Sequence, residues 1–484
     1  MEKNEESSTE KDLMAKNKFC WEIWSEDEKE KAREMSKNYM SFLTTARTER
    51  ERVDYAIKLA EESGFRRLEL GKNLSEKLEK GDKVYYQNRN KNIALLVIGT
   101  SLMTEGLHII GAHLDTPRID LKIRPLYEDA KAGLVLLKTH YYGGLKKYQF
   151  CSIPLHLTGV IVKTDGTTIN VEIGKNPEDP VFIIPDLLIH LSSTVQANRK
   201  MKEVIKATEM NVLAGAFPVS SNNEDEKIKE KFKLNVLKLL NSKYGINEAD
   251  LQSAELSLVS GIKPRYLGFD SSMIGAAGQD DGSCTYFGIK SLLDLKETPH
   301  YTAVIGLFDK EEIGSAGNTS AKSNWLKFII NDIMVRTGIP ETLTNLNLTL
   351  TNSSMISADV GAAFHPSFPS VHDIRNAAVL GKGIALEKYT GSAGKKAASD
   401  ASAETMAYFR GLFEKYNVPY QTANLGEVDA GGGGTIAKIF AESFNCDVID
   451  AGTPVLNMHS AYEVTHISDL YATYLAYSAF LKTN

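Results

Sequence analysis

The spacing of apolar and polar residues predicts that the chain begins with two helices and then turns to strands. Ser25 precedes the segment DEKEKAREMSKNYMSFLTT, and Thr48 precedes ERERVDYAIKLAEESGF. A hydroxyl residue before such a segment is typical of a helix N-cap, and we expect the second helix to end at Gly64. The next apolar runs, KVYYQ, NIALLVIG and LHIIGAH, are short and bounded by turn residues, so they predict buried strands.

The pattern changes near residue 119. Glycine-punctuated β-like runs, among them AGLVLLKTHYYG and IPLHLTGVIVKTDG, are followed by a charged helical stretch from Asn222 to Tyr244. Beyond it, helical segments alternate with the strand-like TAVIGLF, MISADV and DVIDAGT, as in α/β proteins. We therefore predict an α/β fold in which a doubly wound central-sheet domain, residues 1–118 and 260–484, carries an inserted β-rich domain, residues 119–259.

Composition and charge argue against a nucleic-acid-binding, secreted or membrane protein. Its 56 basic and 62 acidic residues are intermixed along 484 positions, so we expect no basic surface for a nucleic acid. The four cysteines are too scattered for a disulfide framework or a thiolate zinc cluster, which favours a reducing cytoplasm. Residues 1 to about 18 are polar and acidic, which predicts a mobile tail rather than a secretory signal. Since no apolar run approaches the roughly 20 residues that span a bilayer, we expect a soluble cytoplasmic protein.

Acidic residues and histidines recur directly after apolar strands, where open α/β sheets place their ligand sites. His113 and Asp115 lie in GAHLDTP after LHIIG, and in an extended segment they point to one face, so the carboxylate can bind or orient a metal-bound imidazole. Glu311 and Glu312 lie in DKEEIG after AVIGLF, where one can ligate a metal while the other faces an attacking water. Taken alone, the first pair can be a surface feature and the second a solvated acidic turn.

Three further residues occupy similar places. Asp359 closes the strand MISADV, His459 comes after DVIDAGTPV, and Asp280 lies in the glycine-flanked turn GQDDGS before a helix. Alone, each can be a loop residue or a helix cap. Together the candidates supply two imidazoles and several carboxylates, the mixed ligand set that suits zinc, cobalt or manganese. Two ions about 3.5 to 4 Å apart need a bridging carboxylate and can activate one shared water, which predicts a hydrolase.

The order of the motifs GAHLDTPR, GQDDGSC, DKEEIGS, SADVGAAFHP and MHSAYE resembles the aspartyl aminopeptidase family of co-catalytic zinc metallopeptidases. The resemblance runs over almost the whole chain and includes an insertion at the same place. It implies two metal sites that share a ligand: His113 with Asp359, Glu312 with His459, and Asp280 as the bridge. It also implies that Glu311 is the general base, that Asp115 is the carboxylate behind His113, and that the peptide bond between Asp280 and Asp281 is cis.

The same resemblance implies an assembly. The family's inserted β domain forms dimers, and the dimers build tetrahedral dodecamers whose chamber admits short, unfolded peptides. Within the insertion, IIPDLLIHLS resembles the segment whose histidine reaches a neighbouring subunit's active site, so His190 is expected to be catalytic in trans. The alternative for this residue is an exposed histidine at the end of a strand.

The predicted function is a zinc-dependent aminopeptidase that removes the N-terminal residue of short peptides with two divalent ions per chain, with cobalt or manganese as alternative metals. We expect neither a nucleic acid nor a membrane as a partner. An acidic N-terminal residue needs a cation in the pocket, and the candidates are Lys382, Lys388, Lys395 and Lys396. Since the family also contains members that prefer neutral residues, the preference stays open. The alternative functions are a deacylase or carboxypeptidase on the same metal scaffold and a catalytically inactive oligomeric scaffold.

Overall fold

A computed structural model describes Leu13 and residues 18–220, 229–391 and 393–484. The predicted tail, residues 1 to about 18, lies outside this description apart from Leu13 and Lys18. In the described part of the chain the strands form four sheets, and we number them β1 to β20 in chain order. No helix among the described residues combines the length and the apolar character needed to cross a membrane.

The largest sheet has nine strands, and its middle is parallel. In spatial order the strands are β1 (Arg66–Arg67), β2 (Lys83–Asn88), β3 (Asn92–Val97), β13 (Thr302–Phe308), β4 (Leu107–His113), β14 (Ser354–Ser357), β18 (Asp447–Gly452), β16 (Ile384–Glu387) and β17 (Tyr420–Ala423). β13, β4, β14 and β18 pair in parallel, whereas β3 and β16 run antiparallel to this group. Every residue of β3, β4 and β13 is buried, as expected for strands covered on both faces. The strands predicted from KVYYQ, NIALLVIG, LHIIGAH and TAVIGLF are confirmed.

Eleven helices are described, and nine of them, all except Ile189–Val195 and Lys231–Tyr244, lie outside residues 119–259 with the nine-stranded sheet. We number them α1 (Cys20–Ile23), α2 (Glu26–Thr45), α3 (Glu49–Glu62), α4 (Ile189–Val195), α5 (Lys231–Tyr244), α6 (Gln279–Leu293), α7 (Trp325–Arg336), α8 (Leu343–Thr351), α9 (Ala403–Lys415), α10 (Ala437–Phe444) and α11 (Ile467–Lys482). Successive residues of β3 pack into two different apolar clusters. Leu95 lies in a cluster with residues of α2, α3, α6, α9 and α11, and Leu96 lies in a cluster with residues of α7, α8 and α10. Since successive side chains of a strand point to opposite faces, the two clusters are the two sides of a doubly wound α/β fold, which confirms the predicted fold class.

The first two long helices begin where their caps predict. Ser25 accepts a hydrogen bond from the backbone of Glu28, whose carboxylate accepts one from the Ser25 N–H in return. Thr48 and Glu51 form the same reciprocal pair at the start of α3. These capping boxes satisfy backbone N–H groups that the helix itself leaves free. α3 ends at Glu62 rather than at the expected Gly64.

A six-stranded antiparallel sheet occupies the middle of the sequence. Its strands, in spatial order, are β8 (Thr168–Ile173), β7 (Leu155–Val162), β10 (Ala254–Ser260), β5 (Arg118–Asp129), β6 (Leu134–Tyr142) and β9 (Val212–Gly215). It has an apolar cluster of its own, to which α5 contributes. The predicted helix from Asn222 corresponds to α5, and residues 221–228 lie outside the described part of the chain. The division into two domains at 119 and 259 stays a prediction, which this separate sheet supports.

Two small sheets lie in the C-terminal part of the described chain. One consists of β11 (Arg265–Leu267), β12 (Met273–Ala276) and β20 (Glu463–His466), and the other of β15 (Gly361–Ala362) and β19 (Pro454–Val455). β12 leads into α6 and pairs with β20, so it brings the start of α6 beside the segment that precedes β20.

Candidate metal centre

The carboxyl ends of neighbouring parallel strands bring several of the predicted ligands together. His113 is the last residue of β4 and pairs with Phe308, the last residue of β13. Glu311 and Glu312 follow β13 in a single 3-10 turn rather than in the extended segment expected from the sequence. Asp359 follows β14, which flanks β4 on its other side. Because parallel strands end at a shared edge, residues distant in sequence meet at one place.

Asp280 reaches the same place from the start of α6. The Asp280–Asp281 peptide bond is cis, as the resemblance implied. Oδ1 of Asp280 lies 3.1 Å from Nε2 of His113, and Oδ2 lies 3.0 Å from Nε2 of His459. One buried carboxylate therefore lies between two imidazoles, one oxygen toward each.

The remaining carboxylates surround this arrangement. Oε2 of Glu312 is 3.6 Å from Nε2 of His459, and Oδ1 of Asp359 is 3.8 Å from Nε2 of His113. Ligand atoms of His113, Glu311 and Asp359 all lie within 4.8 Å of one another, and the same holds for His113, Asp280 and Glu312. The structure thus brings together the residues proposed from the sequence as metal ligands, with Glu311 among them.

The hydrogen bonds of the two histidines show that these residues suit a metal ion. Nδ1 of His113 donates to the carbonyl oxygen of Asp115 at 2.9 Å, and Nδ1 of His459 donates to that of Gly144 at 2.7 Å. In a neutral imidazole whose Nδ1 carries the proton, Nε2 presents a lone pair. Each Nε2 then faces carboxylate oxygens, and either a proton or a metal ion on Nε2 relieves the repulsion between them. Oδ1 of Asp280 and Oε1 of Glu312 are buried without a hydrogen-bond partner among the described residues. Imidazole nitrogens and carboxylate oxygens are the ligands of zinc.

Known proteins are similar to this chain in sequence and in fold over nearly its full length. The family described as Aminopeptidase I zinc metalloprotease (M18) matches residues 42–481. The chain belongs to the M18 family. A probable M18 family aminopeptidase 1 of Clostridium acetobutylicum is 44% identical over 471 residues, which cover 97% of this chain and 99% of that protein. The crystal structure of an M18 aminopeptidase from Thermotoga maritima is 42% identical with a TM-score of 0.90, covering 97% of this chain and all of that one. The S. cerevisiae mApe1 dodecamer, at 21% identity and a TM-score of 0.74 over 93% of this chain and 96% of that chain, shares the fold.

Membership of the M18 family confirms the predicted resemblance and the predicted class of enzyme. The chain is a zinc metalloprotease of the aminopeptidase type. Zinc is accordingly the metal that the residues around Asp280 are expected to hold.

The charges of this M18 site favour the binding of cations. Burial raises the pKa of Glu311 to about 8, and the negative charges of Asp359 and Asp115 add to this shift. His459 is also buried, which disfavours its charged form, but Asp280 and Glu312 outweigh burial and raise its pKa to about 11. In the metal-free protein, protons therefore occupy a site whose carboxylates repel one another.

Asp115 contacts the backbone of the glutamate pair more closely than it contacts His113. Its Oδ1 is 3.6 Å from Nδ1 of His113, which donates to the Asp115 carbonyl, and the role of the carboxylate behind His113 stays a prediction. The carboxylate accepts hydrogen bonds from the N–H groups of Glu311 at 3.0 Å and Glu312 at 3.1 Å. It also accepts one from the hydroxyl of Tyr142 at 2.9 Å. Asp115 therefore fixes the 3-10 turn that carries both glutamates.

Sequence reasoning missed Glu463, although it ends the motif MHSAYE. Its buried carboxylate accepts hydrogen bonds from the N–H groups of His459 at 2.8 Å, Gln279 at 2.7 Å and Asp280 at 3.2 Å. It thereby ties the loop of His459 to the start of α6. The sequence signal that could have found it is its place only four residues after His459.

His190 lies apart from these contacts. It is exposed in the first turn of α4, a helix without a buried residue, rather than at the end of a strand. Among the described residues, no hydrogen bond or ion pair joins its side chain to the metal centre. Its role in a neighbouring subunit stays a prediction.

Proposed function

We propose that this M18 chain is a two-metal aminopeptidase that removes the N-terminal residue from short peptides. The observation that carries the proposal is the position of Asp280, whose two oxygens face Nε2 of His113 and Nε2 of His459. A carboxylate with a separate imidazole at each oxygen is the arrangement expected of a ligand shared by two ions. His113 and Asp359 would complete one site, and Glu312 and His459 the other.

Two divalent ions at this place would supply positive charge that polarises the scissile carbonyl and lowers the pKa of the attacking water. The protein's own residues then handle the proton. Glu311 lies within reach of His113 and Asp359, and the hydrogen bond from its N–H to Asp115 fixes its backbone. In the proposed mechanism its carboxylate takes the proton of the water and later delivers it to the leaving amine.

Metal content and the Glu311→Gln variant together test this proposal. We expect two zinc ions per chain in both proteins, while kcat of the variant falls by about 10²- to 10⁴-fold because the amide cannot accept the proton. Glu297→Gln, at an exposed position, is the matched control and keeps parental activity. One ion per chain would reject the metal pair, and parental turnover in Glu311→Gln would reject Glu311 as the base. A preference for amino-blocked over amino-free peptides would favour a deacylase or carboxypeptidase instead.

We further propose that the chain forms a homo-oligomer through residues 119–259. Around α4 the apolar side chains of Leu188, Ile189 and Leu191 are 61%, 72% and 60% exposed. Such an exposed apolar patch is typical of a surface that another protein chain covers. mApe1, which has the same fold, forms a dodecamer, and this supports a homo-oligomer. The arrangement we propose is dimers that build a tetrahedral dodecamer.

The mass of the protein in solution tests this assembly. We expect a mass well above 53.4 kDa by analytical ultracentrifugation. Leu191→Glu should release smaller species, whereas Leu102→Glu, at an equally exposed position outside the insertion, should not. A monomeric parent protein would reject the assembly.

The assembly gives His190 its proposed role, which is to reach the metal centre of a neighbouring subunit. Two inactive variants test it by complementation. His190→Ala retains Glu311, and Glu311→Gln retains His190, so co-assembled chains should recover part of the parental activity if the histidine acts in trans. No recovery in confirmed mixed oligomers would reject this role.

The proposed substrate preference is an acidic N-terminal residue. Among the predicted cations, Lys388 and Lys395 lie 2.6 and 3.0 Å from the same carboxylate, Asp400, so positive charge is in excess there. Lys382 lies over the ring of Phe19 instead. A panel of aspartyl, glutamyl, leucyl and methionyl substrates tests the preference, and higher kcat/KM for the neutral substrates would reject it.

A further inference from the structure

The six-stranded sheet contacts the metal centre directly through the segment that follows β6. Tyr142 is the last residue of this strand, and its hydroxyl donates to Oδ2 of Asp115 at 2.9 Å. The carbonyl of Gly144 accepts the hydrogen bond from Nδ1 of His459. Residues 142–144 thus contact two groups of the metal centre that come from distant parts of the chain.

Gly143 lies between these contacts, where an added side chain would be tightly packed. A Cβ at this position would lie 3.2 Å from Oε2 of Glu312 and 3.4 Å from its Cβ. The φ of Gly143 is +78°, which other residues rarely adopt. The backbone here therefore packs closely against a proposed metal ligand.

The neighbouring strand holds Tyr142 in place. Arg118 of β5 pairs with Tyr142 across the sheet, and its guanidinium lies 4.1 Å from the centre of the tyrosine ring. Arg118 itself forms ion pairs with Glu49 at 3.1 Å and Asp120 at 2.8 Å. Since these groups are mostly buried, the hydroxyl of Tyr142 has little freedom to leave Asp115.

We infer that Tyr142, Gly143 and Gly144 are positioning residues through which the six-stranded sheet sets the geometry of the metal centre. Tyr142 acts through Asp115, which fixes the turn of Glu311 and Glu312. Gly144 fixes the ring of His459 so that Nε2 faces Asp280. The inference rests on the proposed two-metal function, because it concerns the residues that would hold the ions. Groups that orient metal ligands in this way typically change affinity or activity by about 10- to 100-fold when removed.

Tyr142→Phe tests the inference because it removes one hydroxyl and keeps the ring. We expect the zinc dissociation constant, measured by competition with a chelator, to rise about 10-fold or more. We also expect kcat to fall while KM stays within a factor of about two, because the hydroxyl acts on the ligands and not on the peptide. The matched control is Tyr127→Phe in β5 of the same sheet, whose zinc affinity and kcat should equal those of the parent. A zinc dissociation constant for Tyr142→Phe within twofold of this control would overturn the role of Tyr142.

A pair of glycine variants keeps the inference testable if Tyr142→Phe does not fold. Gly143→Ala places a methyl group against Glu312 and should weaken zinc binding. Gly166 has a similar φ of +86°, so Gly166→Ala imposes a similar backbone strain, but its added Cβ would contact nothing within 4 Å. This variant should therefore bind zinc with the affinity of the parent. Equal zinc affinities in the two variants would overturn the inference. A parent protein that fails to bind two ions would overturn the proposed function, whereas a two-zinc parent with unaffected variants would overturn the positioning role alone.

Discussion

Replacement of Arg52 by methionine should destabilise the protein strongly, because this arginine joins two backbone segments of the metal centre. Its side chain is fully buried in α3 and donates to the carbonyls of Leu114 at 3.0 Å and Gly278 at 2.6 Å. One segment follows His113, and the other precedes Asp280. Methionine replaces the aliphatic stem of arginine but has no donor, so both carbonyls would lose a hydrogen bond to a charged group. At about 1.5 to 3 kcal/mol for each such bond, we expect the free energy of unfolding to fall by about 3 to 6 kcal/mol.

Urea unfolding followed by circular dichroism measures this loss. Arg50→Met is the matched control, since Arg50 lies in the same helix and pairs with the exposed Glu255, a contact worth less than about 1 kcal/mol. The cost of Arg52→Met should be larger without zinc than with it, because the Asp115 carboxylate stabilises the charged arginine and loses a nearby cation when the arginine is removed. Equal unfolding free energies for the two variants would refute the reasoning.

Three further predictions concern metal, pH and backbone. Chelation should lower the midpoint of thermal unfolding and zinc should restore it, because Oδ1 of Asp280 and Oε1 of Glu312 have no hydrogen-bond partner among the described residues. An unchanged midpoint would contradict this. Burial lowers the pKa of His108 to about 4. Below about pH 6.5 this histidine is therefore protonated in the unfolded chain but still neutral in the folded chain, so the free energy of unfolding falls as the pH drops toward 4. In metal-free protein, the free energy of unfolding of His108→Asn, measured by urea titration, should fall by about 3 kcal/mol less than that of the parent between about pH 6.5 and 4. Equal losses in the two proteins would reject the lowered pKa of His108. Gly159→Ala, whose Cβ would lie 2.0 Å from the carbonyl of Glu255, should lower the thermal midpoint by several degrees, and a parental midpoint would show that the β7–β10 pairing adapts.

The parts of the fold that could be predicted depend on local signals. β3, β4 and β13 follow from short, mostly apolar runs bounded by turn residues. His113 and the glutamate pair, which lie at or just after the ends of β4 and β13, are predicted from the sequence as members of one ligand set. The capping boxes of α2 and α3 are equally local, since Ser25 and Thr48 each lie three residues before a glutamate. Such features are readable because the residues that cause them are adjacent in sequence.

The parts that could not be predicted depend on distant contacts. β16 and β17 have four residues each and take their strand form from pairing within the large sheet. The roles of Tyr142 and Glu463 follow from hydrogen bonds to residues of other elements, which no local pattern records. The sequence predicts an extended segment for Glu311 and Glu312, but the hydrogen bonds from their backbone to Asp115 close a tight turn instead.

The order of strands in the nine-stranded sheet has a consequence for how the nascent chain folds. β4 leaves the ribosome before the insertion, but both of its neighbours, β13 and β14, are synthesised after it. The six-stranded sheet, which is contiguous in sequence, can therefore close while β4 still exposes two unpaired edges to solvent. Unpaired strand edges of this kind promote aggregation, and β4 can pair on both sides only once residues 302–357 have been synthesised.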